Sequence, residues 1–135
     1  MATQFNLSVV APDRTITEEP VNSVSAPAYD GYIGILAGHE PMIVALRPGV
    51  LEYRDARDQL RHVALGGGFM EISGTSVIVL ADDAQLAQEI DIKEAELALE
   101  QARKALRGED SSVSREDATL ELERALTRIR AAKRA

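Results

Sequence analysis

The sequence predicts an α+β chain: a strand-built body over residues 1–89, then an antiparallel two-helix hairpin over residues 90–135. Three observations predict it. Up to about Glu89 the apolar residues alternate, the period of a strand with one buried face; from Ile90 to Ala135 they recur every three or four residues, the period of a helix face. Regular turn signals cut the body into many short strands, which suits a sandwich or flattened barrel, and the lack of βαβ alternation disfavours a doubly wound parallel sheet. The tail carries two start-and-stop patterns joined by a short polar link.

In the first strand Phe5, Leu7 and Val9 alternate with Asn6 and Ser8. Pro12-Asp13 marks a turn. Thr15–Glu18 and Val21–Ala26 read as short strands separated by Pro20, and Gly31–Ile35, Met42–Leu46, Gly49–Arg54, Leu60–Leu65, Phe69–Ile72 and Ser76–Leu80 complete the body. Asp55–Asp58 and Ser73-Gly74-Thr75 are polar turns between them. In the tail, Asp91 is an N-cap with Glu94 three residues on, a capping-box-like pair. That helix runs to about Arg107 and stops at Gly108. After the link Glu109–Val113, Ser114 with Asp117 opens a second helix that runs to near Lys133.

The second helix places Ala118, Leu122, Ala125, Ile129 and Ala132 at spacings of four, three, four and three, a heptad seam. The first offers Ile92, Ala95, Leu99, Ala102 and Leu106. Alanine dominates both stripes. On the second helix only Leu122 and Ile129 are large, each worth about 1.5–3 kcal/mol if fully buried. Ordering the helix costs on the order of 1–2 kcal/mol per residue in backbone entropy before its hydrogen bonds offset this. A marginal hairpin is expected, suited to a conformational switch, with permanent docking as the alternative.

Composition narrows the function. With no cysteine there is no disulfide, thiol nucleophile or thiolate metal site. Met1–Val10 lacks the basic and apolar regions of a secretory signal, and the apolar runs Met42–Leu46 and Val77–Ala81 fall far short of the roughly 20 residues that span a bilayer. Residues 1–89 carry 5 Lys/Arg against 12 Asp/Glu, a charge of −7, whereas residues 90–135 carry 10 of each. An acidic body repels phosphate backbones, so nucleic acid is not an expected partner; a basic protein surface is. After Glu123 the tail bears Arg124, Arg128, Arg130, Lys133 and Arg134 with no acidic residue. Cations at a helix C-terminus favour the macrodipole by about 0.3–1 kcal/mol each, but these cover more than two turns and suit docking as well.

Two glycine clusters stand out, Gly31-Tyr32-Ile33-Gly34-Ile35-Leu36-Ala37-Gly38-His39-Glu40-Pro41 and Gly66-Gly67-Gly68-Phe69-Met70-Glu71. The first has no Gly-Lys-Ser/Thr and no helix start after it, so it is not a phosphate loop. Glycine weakens a strand interior, so the second implies a bulge or a backbone pressed against something. No catalytic constellation emerges. His39 reads as a structural turn residue, and His62 as a residue facing out or making a polar interaction. A zinc set of His39, His62 and Asp82-Asp83 follows no metal-ligand spacing. Asp82-Asp83 reads as a strand exit that keeps the sheet edge soluble.

The ordered set Gly31-x-x-Gly34-x-Leu36-x-x-His39-x-Pro41, then Gly67-Gly68-Phe69-x-Glu71, then Val77–Ala84, followed by two helices, resembles the epsilon subunits of bacterial F-type ATP synthases (called delta in mitochondria) over nearly the whole chain. The resemblance implies a ten-stranded β-sandwich followed by the hairpin. It implies a noncatalytic rotor subunit on the central stalk, peripheral on the cytoplasmic side of a bacterial plasma membrane. Residues 1–89 would dock on the gamma subunit and the c-ring through Gly31, Gly34, His39, Pro41, Gly67, Gly68, Phe69 and Glu71. Residues 90–135 would tune ATP hydrolysis by reaching the alpha and beta subunits with Arg124, Arg128 and Arg130. The competing class is a free-standing nucleotide sensor or a β-sandwich adaptor.

Some members of that family bind ATP on the folded hairpin through a motif of Ile or Leu, Asp, two variable residues, Arg and Ala. Here Ile90, Asp91 and Ala95 match, and Arg124 and Arg128 match basic positions that ATP-binding members use, but Glu94 stands where the arginine belongs. A carboxylate repels the phosphate that an arginine would hold. Either Glu94 serves the helix start and nucleotide binding is lost or weak, the favoured reading, or Lys93, Arg124 and Arg128 compensate. No cofactor is expected.

Overall fold

The computed structural model describes residues 4–135. Seven strands, β1 (Phe5–Ala11), β2 (Arg14–Ala28), β3 (Gly31–Ile35), β4 (Met42–Asp55), β5 (Leu60–Ile72), β6 (Ser76–Ala81) and β7 (Ala84–Leu86), lead through a 3-10 turn (Ala87–Glu89) to α1 (Ile92–Leu106) and α2 (Arg115–Ala132). The strand order β1-β6-β5-β4-β2-β3, with β1 also paired to β2, closes five strands into a ring, while β3 and β7 lie off it. Among the described residues only the β1–β6 pairing is parallel. The α+β architecture of a β-sandwich followed by a two-helix hairpin is as the sequence predicts.

The strand count differs from ten, and side-chain parity explains why. β5 turns Val63 and Leu65 inward, then Met70 and Ile72. Because a strand has period two, the inward set can move from odd to even only across an irregularity, here Gly66–Gly68. Gly67 and Gly68 have φ of +98° and +144°, and a Cβ on Gly68 would lie 2.2 Å from the Leu80 carbonyl oxygen. β5 also changes neighbour here, pairing β7 through Val63–Leu65 and β6 through Gly68–Ile72. β4 switches from Leu46 to Leu51 and Tyr53 across Pro48-Gly49, and β2 from Val21 to Val24 and Ala26 at a register shift. The three long strands therefore each do the work of two, and counting them so turns seven into ten.

Pro20 lies inside β2 instead of dividing it. It sits opposite Asn6, whose N–H goes to Thr75 O at 3.1 Å, and one residue beyond the end of the β2–β4 ladder at Val21. Its missing N–H therefore leaves no ladder bond unmade. The core inside the ring, including Leu7, Val9, Ile35, Leu51, Val63, Met70 and Val79, comes entirely from strands. The turns at Pro12-Asp13, Asp55–Asp58 and Ser73–Thr75 fall where the sequence places them.

Both helices begin and end on the signals read from the sequence. Asp91 Oδ1 accepts from the N–H groups of Lys93 and Glu94 at 2.9 and 3.3 Å. Gly108, at φ +82°, closes α1 with paired bonds from Gly108 N–H to Ala105 O and from Glu109 N–H to Lys104 O, the Schellman arrangement. Ser114 Oγ accepts from Asp117 N–H at 3.1 Å to cap α2.

Candidate functional site

α2 has two working faces. One packs on α1, with Ala118 and Ala125 buried on α2 and Ala95 and Ala102 buried on α1. Leu99, Leu106, Leu122 and Ile129 only half-cover this alanine seam, and Ile92 is exposed. The second face carries Arg124, Thr127, Arg128 and Ala131, at helical spacing, onto β4, β5 and the 3-10 turn. The seam between the two modules is thus made by α2.

Two kinds of contact hold it. Ala131, fully buried, meets Val50, Ala64 and Ala87, with Ile90 against the cluster. Beside it lie two arginine contacts. Arg124 donates from Nε and Nη2 to the Gly66 carbonyl oxygen, both at 3.2 Å, and Arg128 Nη2 donates to Asp83 Oδ2 at 2.6 Å. Gly66 admits this approach because it has no side chain: a Cβ there would sit 2.7 Å from Arg124 Nε and 2.8 Å from Asp83 Cβ. Of the two readings of the glycine run, the backbone pressed against a neighbour is the one that holds; the β4–β5 register runs unbroken across it, so no bulge is inserted there. The apolar part of the seam is small and its polar part is partly solvated, so the joint is cohesive but weak.

Past the end of α2, a cleft of about 500 Å³ separates the C-terminal residues Arg134 and Ala135 from Glu19, Tyr53, Arg61 and His62. Burial pushes the Tyr53 phenol above its ordinary pKa while its hydroxyl donates to Glu19 Oε2 at 3.0 Å. His62 does not face out: it is 8% exposed, with Nε2 2.9 Å from Glu52 Oε1. His39 is half-buried in the β3–β4 connection, its Nδ1 2.9 Å from Glu40 O. Among the described residues no three of His, Asp and Glu gather as a metal set.

The residues of the nucleotide-like motif lie around the seam. Ile90 packs beneath Ala131, Asp91 caps α1, Ala95 is buried in the helix pair, and Glu94 is exposed in the first turn. Arg124 and Arg128 already hold sandwich oxygens. Arg130 is exposed. The proposed docking residues fall into two groups. Gly31 and Gly34 lie exposed on edge strand β3, and Pro41 is exposed just before β4. Phe69 and Glu71 project from the outer face of β5, where the register sets Ile43 and Ile78 beside Glu71, and Ala45 and Leu80 beside Phe69. Ile43, Phe69 and Leu80 are 73%, 58% and 57% exposed, an apolar strip facing solvent. Gly67 and Gly68, which precede Phe69 on β5, are buried.

Sequence reasoning did not find Asp83, the Gly66 carbonyl or Ala131. The spacing Arg124, Arg128, Ala131 was a second stripe beside the heptad seam, but a stripe of two arginines does not name its acceptors.

Comparison with known proteins agrees with this architecture. Residues 4–87 match the ATP synthase delta/epsilon chain β-sandwich domain, and residues 88–133 match the delta/epsilon chain long α-helix domain. The ATP synthase epsilon chain of Symbiobacterium thermophilum is 40% identical over 129 residues, covering 95% of this chain and 92% of that one. That of Desulforamulus reducens is 36% identical over 132 residues, covering 98% and 99%. Among solved structures, a chain of the Euglena gracilis mitochondrial ATP synthase, described as OSCP/F1/c-ring in rotational state 1, superposes with a TM-score of 0.77 at 30% identity, covering 91% of this chain and 78% of that one.

Proposed function

The chain belongs to the ATP synthase delta/epsilon chain family and is a non-catalytic subunit of that complex, and on this premise we propose that it couples rotation to ATP synthesis through its sandwich and restrains ATP hydrolysis through its hairpin. The sandwich docks on the gamma subunit and the c-ring, and the outer strip of Ile43, Phe69, Ile78 and Leu80 supplies an apolar surface large enough in exposure to want a partner. As a peripheral subunit the chain would sit at the cytoplasmic face of a bacterial plasma membrane; among the described residues no helix is long and apolar enough to cross a membrane.

The observation that carries the regulatory reading is the double use open to Arg124 and Arg128. Folded, they hold Gly66 O and Asp83. Released with Arg130, they would form a basic stripe on one helix, able to meet acidic surfaces on the alpha and beta subunits. The same occupied arginines, with Glu94 in place of an arginine, support the reading that nucleotide binding on the hairpin is lost or weak. The experiment is ATP hydrolysis by the assembled complex carrying either the full chain or a chain ending near Ile90. Faster hydrolysis with the shortened chain supports restraint by the hairpin, and equal rates refute it.

A further inference from the structure

The ring of strands leaves one edge open at β3. This strand hydrogen-bonds to β2, and among the described residues nothing pairs its other side. Edge strands are commonly guarded by a charge, a proline or a bulge. β3, Gly31-Tyr32-Ile33-Gly34-Ile35, has none of these: its register against β2 is unbroken, and Gly31, Tyr32 and Gly34 are exposed. Tyr29, Tyr32 and Leu36, on and beside the strand, are 68%, 59% and 66% exposed.

The ladder fixes which backbone groups face out. β2 and β3 meet at the two-residue turn Tyr29-Asp30, so the closing pair Ala28–Gly31 exchanges hydrogen bonds and the pairs alternate from there. Pro27 has no N–H to give, and it falls opposite Tyr32, in a pair that needs none. Gly31, Ile33 and Ile35 therefore direct their N–H and C=O groups to β2. Those of Tyr32 and Gly34 point out of the sheet edge in one row. A second β3, antiparallel about a two-fold axis at Ile33, meets all of them: Tyr32 of each copy faces Gly34 of the other, and each of these pairs exchanges its N–H and C=O groups. An axis at Tyr32 or at Gly34 leaves the other of these two residues without a partner inside the strand.

We propose that β3 is a self-pairing edge: two copies of this chain join antiparallel through Tyr32 and Gly34, as a two-fold dimer in which the sheet of one copy continues into that of the other. The side chains agree with this register. On the outer face each Tyr32 comes to lie across from the partner's Gly34, where a Cβ would meet nothing within 4 Å, an aromatic facing a glycine. On the other face Ile33, half-buried in one copy, meets the partner's Ile33. The strand itself carries no charge, whereas each copy carries −7, so added salt screens the repulsion between copies and strengthens the pairing. The contact is isologous and closes at two copies. A five-residue edge falls well short of the roughly 1,200 Å² of a stable interface, so the dissociation constant is on the order of 0.1–1 mM. Gly31 and Gly34 are also proposed docking residues, so a paired chain is closed to docking through this strand, and the dimer is a form of the free subunit that parts before assembly. The pairing itself rests on the sheet edge alone and holds whether or not the hairpin restrains hydrolysis.

The test is sedimentation equilibrium of the full chain from about 10 µM to about 2 mM. The mean mass should climb from 14.6 kDa toward twice that value, and climb further when salt is added. Over the same range hydrogen exchange at the Tyr32 and Gly34 amides should slow about threefold, while the amides of Gly31, Ile33 and Ile35, already bonded to β2, change little. Two variants probe the edge. Gly34→Pro removes an outward N–H from each copy at a position where an edge strand tolerates proline. Gly34→Lys enters open space in the free chain and puts a like charge on both sides of the contact. Each should raise the dissociation constant about fivefold or more, and thermal unfolding of the dilute variants checks that the fold is kept. A chain that stays monomeric at about 2 mM, or a dimer that neither variant weakens, overturns the proposal. So does protection of the Tyr32 and Gly34 amides in the assembled complex alone, which would give the edge to a strand of another subunit.

Discussion

At the scale of single residues, the seam turns on geometry that no side-chain inventory contains. Asp83 reads from sequence as a solubilising strand exit, yet it receives Arg128 at 2.6 Å. Both side chains are about a quarter to a third exposed, so solvent screens the pair and its coupling should be about 1 kcal/mol. A double-mutant cycle with Arg128→Gln and Asp83→Asn, read by exchange of α2 amides, should return that value, and additive single effects would show that the pair does not fasten the hairpin. Asp55 gives a second residue-scale expectation. Its carboxylate accepts from the Gln59 and Arg57 N–H groups at 2.9 Å and from Arg61, and these bonds hold its pKa below the ordinary aspartate value of about 3.9. A depressed carboxylate contributes stability that is complete above the ordinary value and lost as pH falls through the folded one. Asp55→Asn should therefore flatten the acid limb of the stability profile, measured by denaturant unfolding between pH 6 and about 2. The turn holding Asp55 was legible as Asp55–Asp58, and the capping aspartate Asp91 was legible too, because both act on backbone only a few residues away.

Elements were legible wherever their signals are local. Caps, stops and periodicity placed both helices to within a residue or two, and alternation placed the strands. Pro20 misled, since a proline is costly only where its missing N–H would have paired, and pairing is a property of the sheet. The divided reading of β4 and β5 had a physical cause, because parity does change at Pro48-Gly49 and Gly66–Gly68 while the backbone continues. Gly68 is the sharpest test of that account. With φ at +144° and the Leu80 carbonyl in the place of a Cβ, Gly68→Ala should destabilise the sandwich by about 3 kcal/mol or more. Gly108→Ala, with open space around it and only the backbone conformation to strain, should cost about 1 kcal/mol. Chemical denaturation of both variants checks the contrast; equal losses would remove the close backbone approach at Gly68 from its central role.

For the whole molecule, what matters is how unequally the two modules are held. The strand core is complete without the hairpin, and the hairpin adds only Ala131 and Ile90 to a small cluster over Val50, Ala64 and Ala87. A chain ending at Glu89 should keep a cooperative melt and strand circular dichroism, while the isolated hairpin should be largely unfolded in water. Loss of cooperativity in the shortened chain would mean one inseparable core. By itself the sequence determined the two periods, the caps, the charge of each half and the family likeness, because each is written in near neighbours or in an ordered set of residues. Only the tertiary structure decided which face of α2 meets the sandwich, and that Arg124 and Arg128 end on Gly66 and Asp83. Those contacts join residues 45 to 58 positions apart, and a partner so distant is fixed by how the strands fold round the core, which local pattern does not encode.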